Sequence, residues 1–378
     1  PTTVAKHSRI LMFRPSDFRA LVSGRRRGIG ASFARGALGM LEIPYTAAMR
    51  WRNRRYDRGA GVHHVDVPVV SVGNLTLGGV GKTPFVCFLS QWLLARGVRP
   101  AIISRGYGAT GGSNDEALEL AERLPEVTQM QHADRVAAAW RAIDQGNCDA
   151  LVLDDGFQHR RLARDLDIVL LDATEPFGFD HVFPRGALRE PVSGLARADV
   201  VVLTRADMVS QAARAEICQR AARLGPQAMW AEARHAPSEI LTADSERKPV
   251  TTLAGMSVAA FCGIGNPEGF RHTLTSCGAR VVALREYPDH FDYGATKGNG
   301  KKTDEAAPIE GLRRWAEAQP VDAIVTTHKD LVKVRGTPLA ERPLWALCIG
   351  IELLDGQPEL ESRLTPIVES ALDLKGGI

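Results

Sequence analysis

A glycine-rich segment between an apolar run and a helical pattern constrains this chain more than any other feature. It reads Ser71-Val72-Gly73-Asn74-Leu75-Thr76-Leu77-Gly78-Gly79-Val80-Gly81-Lys82-Thr83-Pro84. The apolar residues 67–72 predict a buried strand, and the apolar spacing over 85–95 predicts a helix. A turn of this kind presents backbone N–H groups at the positive end of a helix, where phosphate oxygens bind. The sequence therefore predicts a phosphate-binding loop.

Two side chains in this loop are candidates for nucleotide chemistry. Lys82 would reach the outer phosphates, and the Thr83 hydroxyl would hold Mg²⁺. The loop departs from the strict pattern at Thr76, where glycine is expected, and the adjacent glycines supply the flexibility instead. A glycine-rich turn with an incidental Gly-Lys-Thr is the alternative. The predicted nucleotide-binding residues are Asn74, Gly78, Gly79, Val80, Gly81, Lys82, Thr83 and Pro84.

Apolar runs alternate with helical patterns over the first part of the chain, which is typical of an α/β fold. Such runs suit a parallel sheet that is buried on both faces. We predict a P-loop NTPase-type, mostly parallel sheet flanked by helices at 61–248, and a smaller C-terminal α/β domain at 249–378. The candidate strands are 67–72, 100–104, 150–153, 168–171 and 200–204, followed in the second unit by 258–264, 281–284, 323–325 and 344–349.

Residues 1–60 form a basic amphipathic N-terminal segment. They hold thirteen Lys and Arg against three acidic residues, a balance of +10, whereas the rest of the chain is at −7. The apolar stretch 29–51 is too short and interrupted to span a bilayer, and Pro44 would break or kink a helix. It could lie in a membrane interface, or it could be a core helix with a solvated basic tail. The arginines expected near lipid phosphates are Arg50, Arg52, Arg54 and Arg55.

The six cysteines are scattered without CxxC spacing. That distribution favours reduced thiols in a cytosolic protein over a zinc site or a disulfide framework. No secretory signal is expected, because the Arg-rich region is followed by no clean apolar core and cleavage site.

Two carboxylates follow the predicted strand at 150–153. In P-loop enzymes an aspartate at this place holds Mg²⁺, so Asp154 or Asp155 fits that role, with an ordinary Asp-Gly turn as the alternative. Beyond them lie residues that could meet an anionic substrate, or form a solvated basic face: Gln158, His159, Arg160, Arg161 and Arg164.

Other polar residues follow turns and strand ends. Arg185 and Arg189 form a pair that suits phosphate groups. Asp115, at the start of a helical pattern, is by pattern alone most simply a helix cap, and His290 beside an aspartate is most simply structural. Thr204 stands where a GTPase would have its guanine-reading asparagine, so we expect ATP.

Taken together, these segments resemble the tetraacyldisaccharide 4′-kinase family, the lipid A 4′-kinases of Gram-negative bacteria. The matching segments occur in family order over about residues 40–335. They are Val72-Gly73-Asn74, Gly78-Gly79-Val80-Gly81-Lys82-Thr83-Pro84, Ser104-Arg105-Gly106-Tyr107-Gly108, Asp115-Glu116, Asp154-Asp155-Gly156-Phe157-Gln158-His159, Gly186-Ala187-Leu188-Arg189-Glu190-Pro191, Gly263-Ile264-Gly265-Asn266-Pro267, Pro288-Asp289-His290 and Thr327-His328-Lys329-Asp330.

The resemblance implies transfer of the γ-phosphate of ATP to the 4′-hydroxyl of tetraacyldisaccharide 1-phosphate, with Mg²⁺. It also implies peripheral attachment to the cytoplasmic face of the inner membrane, a membrane-associating N-terminal helix, no nucleic-acid partner and a monomer. Asp115 and His290 would form the catalytic acid/base pair, with Lys82 stabilising charge. The chain departs from the family pattern at Asn114, usually glycine, at His328, often glutamate, and around 178–185.

Two other functional interpretations of the sequence remain at this point. A P-loop ATPase switch also uses Gly-Gly-x-Gly-Lys-Thr, but it usually carries a second lysine just before the paired glycines, where this chain has Leu77. A membrane-bound scaffold that has lost catalysis is disfavoured by the intact Lys82, Thr83, Asp154 and Asp155.

Overall fold

The computed structural model describes residues 15–106, 115–146, 148–288, 291–294, 308–336, 339 and 341–376. His290 lies outside these ranges. Asp115 begins a described helix, but the side chains of that helix are described only from Leu118 onward.

Helices and strands alternate along most of the described chain. The α-helices are α1 (Pro15–Val22), α2 (Ile29–Asp57), α3 (Lys82–Leu94), α4 (Asp115–Arg123), α5 (Arg135–Asp144), α6 (Gln211–Leu224), α7 (Pro267–Ser276), α8 (Pro308–Glu317), α9 (His328–Val334) and α10 (Gln357–Gly376). The strands are β1 (Val69–Asn74), β2 (Pro100–Ser104), β3 (Thr128–Gln131), β4 (Ala150–Asp154), β5 (Leu166–Asp172), β6 (Val200–Thr204), β7 (Met229–Thr242), β8 (Arg247–Lys248), β9 (Ser257–Cys262), β10 (Arg280–Glu286), β11 (Ala323–Thr327) and β12 (Leu344–Asp355).

The described strands form one sheet in the order β10-β9-β11-β12-β7-β6-β5-β1-β4-β2-β3, with β8 paired to β7. Neighbouring strands are parallel except at β7–β12 and β7–β8. The mostly parallel α/β fold is therefore confirmed. The later strands do not form a separate smaller sheet, because β7 pairs along its length with β12 and joins them to the main one. The division of the chain at 1–60, 61–248 and 249–378 stays a prediction.

Both faces of the sheet are covered, as the apolar strands predict. Val70 on β1 packs with Phe85 and Leu89 of α3 in one buried cluster. Val69, the adjacent residue of β1, packs with Ala139 of α5 in another cluster on the other face. Burying an aliphatic side chain of this size contributes about 1.5–3 kcal/mol, so alternate residues of one strand fix helices on opposite faces.

The N-terminal helices pack on the core through polar contacts. α2 runs without interruption through Pro44, so of the break or kink expected there the break does not occur. Proline removes one helical hydrogen bond, to the carbonyl of Met40, and Met40 is exposed, so that carbonyl stays near solvent. The hydroxyl of Tyr45 on α2 donates to the carbonyl oxygen of Arg189 at 3.2 Å, which joins this helix to the loop after β5. Within the described ranges, no helix combines the length and the apolar character needed to cross a membrane.

Candidate active site

The loop between β1 and α3 has the strand–turn–helix form that a phosphate-binding loop requires. Its left-handed positions are Gly78, with φ of 124°, and Gly81, with φ of 91°, where a side chain would strain the backbone. Gly81 caps the start of α3, so the first backbone N–H groups of that helix face the loop. An anion placed there meets both free N–H donors and the positive end of the helix dipole.

Thr76 explains how the loop tolerates the missing first glycine. Thr76 has no left-handed backbone, and it is buried. The side chain of Asn74 donates to the Thr76 carbonyl oxygen at 2.6 Å and lies 3.4 Å from its hydroxyl. The positive φ angles of the loop therefore occur at Gly78 and Gly81, and the hydrogen bond from Asn74 stabilises the turn.

Lys82 lies beside two predicted site residues. Its Nζ is 3.3 Å from Oδ1 of Asn74 and 3.4 Å from Oδ1 of Asp155. Thr83 and Pro84 follow it in the first turn of α3. The lysine of the loop and the carboxylate after β4 are thus brought to one place, as the sequence predicts for strand ends along one edge of a parallel sheet.

Neighbouring cations contact both the carboxylate and the carbonyl group of Asp155. Its backbone is left-handed, with φ of 54°. Nη1 of Arg189 donates to both of its carboxylate oxygens at 2.7 Å, and Arg135 donates to its carbonyl oxygen at 2.9 Å. Burial raises the pKa of this carboxyl, but the cations of Lys82 and Arg189 outweigh burial and hold the pKa below its ordinary value. The group is therefore an anion throughout the neutral range.

Asp154 is the last residue of β4 and is buried. Burial raises the pKa of the Cys87 thiol on α3 to about 12, and the nearby Asp154 carboxylate adds to that rise. Asp155, by contrast, contacts Lys82 at the start of α3 and Arg189. The two carboxylates that the sequence could not tell apart thus differ in their surroundings.

Glu190 is a wholly buried carboxylate that connects three parts of the site. Arg197 lies 3.0 Å from both of its oxygens. Gln158 donates to Glu190 at 3.0 Å and to the backbone carbonyl of Asn74 at 2.9 Å. Asn53 of α2 donates to the other oxygen at 2.8 Å. The N-terminal helix α2 and the end of β1 are therefore linked through the side chains of Glu190 and Gln158.

The other predicted substrate residues lie toward the N-terminal helices. Arg160 forms an ion pair of 2.8 Å with Asp57 at the end of α2. Arg185 donates to the carbonyl oxygen of Val22 at the end of α1 at 3.2 Å. His159 is half-buried, and burial together with nearby arginines lowers its pKa to about 4, so its ring is neutral at pH 7.

The catalytic pair implied by the resemblance stays a prediction, because its side chains lie outside the part of the chain that the structure describes. His290 lies outside that part, and so does the side chain of Asp115. What is described is the rest of α4, whose Glu122 accepts from His328 of α9 at 2.7 Å and pairs with Arg335. Helix α4 is thus joined to the segment that carries the Thr327-His328-Lys329-Asp330 motif.

Three residues near the loop escaped the sequence analysis. Arg135 follows a helix-capping aspartate and reads as an ordinary helical residue. Arg205, which follows Thr204 at the end of β6, donates to the carbonyl oxygen of Gly79 at 3.0 Å. His235 contacts Gly81 from the middle of β7, where no motif marks it. The sequence does place Arg135 at the start of a helical pattern and Arg205 directly after a strand, which are positions where a cation can reach the sheet edge. No local pattern indicates His235.

Whether these residues can bind Mg²⁺ depends on the donor atoms that they offer. No cluster of three His, Cys, Asp or Glu side chains suited to a metal occurs in the described part of the chain. Mg²⁺ does not need one, because it is usually bound by one or two carboxylates together with substrate phosphates and water. The hydroxyl of Thr83 and the carboxylates of Asp154 and Asp155 are the hard oxygen donors that this ion prefers, so the site fits it. All six cysteines are free thiols.

Comparison with known proteins gives one consistent result. The family model described as tetraacyldisaccharide-1-P 4′-kinase matches residues 34–369. A protein of Anaeromyxobacter sp. (strain K) named tetraacyldisaccharide 4′-kinase is 38% identical, over 94% of this chain and 97% of its own length. A protein of the same name from Geobacter sulfurreducens is 34% identical, over 93% of this chain and 98% of its own.

A solved structure agrees with these sequence matches. LpxK of Aquifex aeolicus, crystallised in complex with ATP, superposes with a TM-score of 0.68 at 28% identity. The match covers 89% of this chain and 99% of the Aquifex chain. The likeness therefore extends over both the main sheet and the strands beyond β7.

Proposed function

The chain belongs to the tetraacyldisaccharide-1-P 4′-kinase family, and we propose that it transfers the γ-phosphate of ATP to the 4′-hydroxyl of tetraacyldisaccharide 1-phosphate. The product is lipid IVA, an intermediate of lipid A biosynthesis. The observation that carries the proposal is the meeting of Lys82 with Asp155, 3.4 Å apart, beside a glycine-rich loop at the start of a helix.

The nucleotide binds at the loop between β1 and α3. Backbone N–H groups of the predicted loop residues and the start of α3 receive phosphate oxygens, and Lys82 stabilises the outer phosphates. Asn74 keeps Lys82 in place through the contact with its Oδ1. Lys82 and the helix dipole together supply fixed positive charge where negative charge develops in the transition state.

Thr83, Asp154 and Asp155 would hold Mg²⁺. When bound, the ion neutralises charge on the β- and γ-phosphate oxygens. Arg189 and Lys82 keep Asp155 ionised, as a hard cation requires of its ligand.

The acceptor hydroxyl is activated by Asp115 and His290. His290, oriented by Asp115, takes the proton of the 4′-hydroxyl while its oxygen forms a bond to the γ-phosphorus. The bond from that phosphorus to the bridging oxygen breaks, and ADP leaves with the electron pair. The assignment rests on the match of these residues to the family motifs.

Gln158, His159, Arg160, Arg185 and Arg189 are proposed to face the anionic disaccharide. Gln158 contacts the backbone of Asn74 at the start of the phosphate-binding loop, and Arg189 contacts the carboxylate of Asp155. Arg160 and Arg185 lie where the core meets α1 and α2, so they would meet the part of the substrate nearest the membrane.

We also propose that α2 lies on the cytoplasmic face of the inner membrane and that the protein acts as a monomer. Arg50, Arg54 and Arg55 are exposed, whereas Arg52 turns to the core and lies 3.4 Å from the carbonyl oxygen of Gln158. The exposed arginines suit anionic headgroups and the exposed apolar side chains suit the acyl boundary. Those apolar residues are Ile29, Phe33, Met40, Leu41, Ile43, Tyr45 and Trp51.

The activity is tested with γ-labelled ATP and tetraacyldisaccharide 1-phosphate in detergent micelles. Wild type should label the lipid, and Lys82→Ala should lower the rate at least about 100-fold. ATP hydrolysis that needs no lipid and labels none would overturn the kinase assignment and favour an ATPase switch. In the same assay His290→Ala should lower kcat by about 100-fold or more with ATP affinity retained. Loss of ATP binding with chemistry intact would contradict that role.

Membrane attachment is tested by co-sedimentation with vesicles of phosphatidylcholine, with and without phosphatidylglycerol. Wild type should sediment with the anionic vesicles and release at high salt in part. A variant with Phe33→Asp and Trp51→Asp should stay in the supernatant while it still binds ATP. Equal sedimentation of both proteins would rule out the exposed face of α2 as the attachment surface.

A further inference from the structure

His235 reaches the phosphate-binding loop from β7. The parallel pairing of β6 with β7 ends at Leu203 opposite Glu232, and β7 then continues beyond the end of β6. His235, three residues further on, pairs with Ile351 of β12. It therefore projects from the part of β7 that extends past the carboxyl edge of the parallel sheet, where ligands of such sheets bind.

Its ring lies against Gly81. A Cβ atom added to Gly81 would be 2.1 Å from Nε2 of His235 and 2.7 Å from its Cε1. Nε2 is thus in contact with the backbone of the residue that caps α3. A ring nitrogen is placed at the positive end of the helix that we assign to phosphate binding.

Nε2 is buried and has no hydrogen-bond partner among the described residues. A buried polar atom left without a partner destabilises the folded protein by about 1–3 kcal/mol. Buried groups of this kind are unusual in folded proteins and call for a physical explanation, such as a ligand that supplies the partner.

The charged groups around the ring are Arg205 and Asp172. Arg205 follows β6, donates to the carbonyl oxygen of Gly79 at 3.0 Å and forms an ion pair with Asp172. Burial and the Arg205 charge lower the pKa of His235 to about 4, so the ring is neutral at pH 7. A neutral imidazole carries one N–H, which can be placed on Nε2.

We propose that His235 is a further nucleotide-contacting residue, whose Nε2–H donates a hydrogen bond to a phosphate oxygen of ATP bound in the loop. The proposal rests on the proposed function, because it needs ATP at this loop. It assigns to β7 one wall of the nucleotide site, and it explains why a polar atom without a hydrogen-bond partner is buried against the phosphate-binding loop. Glycine at position 81 is then required for the ring to approach.

The test measures binding of ATP and ADP to the full chain by calorimetry, in wild type and three variants. His235→Phe keeps the ring and removes the donor, and His235→Gln keeps a donor of similar reach. Ser238→Ala is the matched control, because it removes a polar group from the same strand, where Oγ contacts the carbonyl oxygen of Cys348. Adenosine, tested by competition, has no phosphate.

The Phe variant should bind ATP and ADP at least about tenfold more weakly, as expected for a lost hydrogen bond to a charged group. Adenosine competition should not change. The Gln variant and the Ser238→Ala control should stay within about threefold of wild type. Without nucleotide, the Phe variant should melt at or above the temperature of wild type, because it removes the unpaired buried nitrogen. The rise in melting temperature on adding ATP should be smaller for the Phe variant alone.

Two results would overturn the inference alone: wild-type affinity in the Phe variant, or weakened binding in the Gln variant equal to that in the Phe variant, which would mean that the donor at this position does not contact the nucleotide. If wild type binds neither ATP nor ADP, the proposed function fails and this inference fails with it. The two failures are therefore distinguishable.

Discussion

A single nitrogen of Arg189 contacts both carboxylate oxygens of Asp155 at 2.7 Å, and this contact helps to hold the pKa of Asp155 below its ordinary value. A carboxyl with a lowered pKa stays ionised above that pKa and is neutralised as the pH falls through it. Arg189 thus helps Asp155 to stay ionised at a lower pH than an isolated carboxyl would.

Arg189→Gln removes this cation and should raise the pKa of Asp155, since a nearby positive charge favours the ionised carboxyl. The acid side of the profile of kcat/KM against pH should therefore move to higher pH. Arg313→Gln is the control, because Arg313 and Glu310 form an exposed ion pair on α8. An unmoved acid limb in the Arg189 variant would show that Asp155 does not control it.

Glu190→Ala should destabilise the fold by about 3 kcal/mol, because it leaves the Arg197 cation without its buried partner. Urea unfolding at pH 7 measures the change. Glu352→Ala breaks an exposed ion pair with Arg234 and should cost no more than about 1 kcal/mol. Similar losses of unfolding free energy in both variants would mean that the burial of Glu190 does not add to the stability of the fold.

His328→Glu should destabilise this chain, although the resemblance suggests glutamate at this place. The new carboxylate would be buried against Glu122 and near Glu119. The double variant with Glu122→His exchanges the two groups and should recover about half or more of the loss. Additive losses in the double-mutant cycle would show that the two positions do not interact.

Gly81→Ala should lower the free energy of unfolding by about 1–2 kcal/mol, because alanine is strained at a φ of 91° and its Cβ would meet the ring of His235. Gly79→Ala is the matched change in the same loop, since the structure leaves open space there. Thermal unfolding without nucleotide should separate the two variants. Equal stability would show that the loop relaxes around the new methyl group.

Stability should fall as the pH drops from 7 to 5, in part through His235. Its pKa is about 4 in the fold and 6.5 as the ordinary value, so between these values the unfolded chain binds more protons and acid favours unfolding. The slope from this residue is at most about 1.4 kcal/mol per pH unit. His235→Asn should flatten the curve of unfolding free energy against pH. An unchanged slope would mean that the ring is not buried as neutral imidazole.

The sequence predicts well those features that depend on neighbours along the chain. The loop before Lys82 is defined by a strand, a turn and a helix in direct succession, and the strand and the helix each lie within about three residues of their predicted bounds. The predicted strand at 100–104 coincides with β2 for the same reason: an apolar run ended by a turn.

Features that depend on distant pairing could not be predicted. Strand β7 contains Glu232, Arg234 and Pro237 and shows neither an apolar run nor a clean alternation. It is a strand because β12 pairs with it, and Pro237 is accommodated at an irregularity of that pairing. His235 was missed with it. Arg135 was missed because its contact with Asp155 depends on the packing of α5 against the sheet.

The pairing of β7 with β12 also has a consequence for the order of biosynthesis. A ribosome delivers β7 long before β12, so one edge of a fourteen-residue strand stays open while the intervening chain is made. An open edge of this length is a template for pairing with other chains. A nascent chain that stalls before Leu344 therefore exposes this edge. Chaperone demand should peak over that interval of translation and fall once β12 has left the exit tunnel.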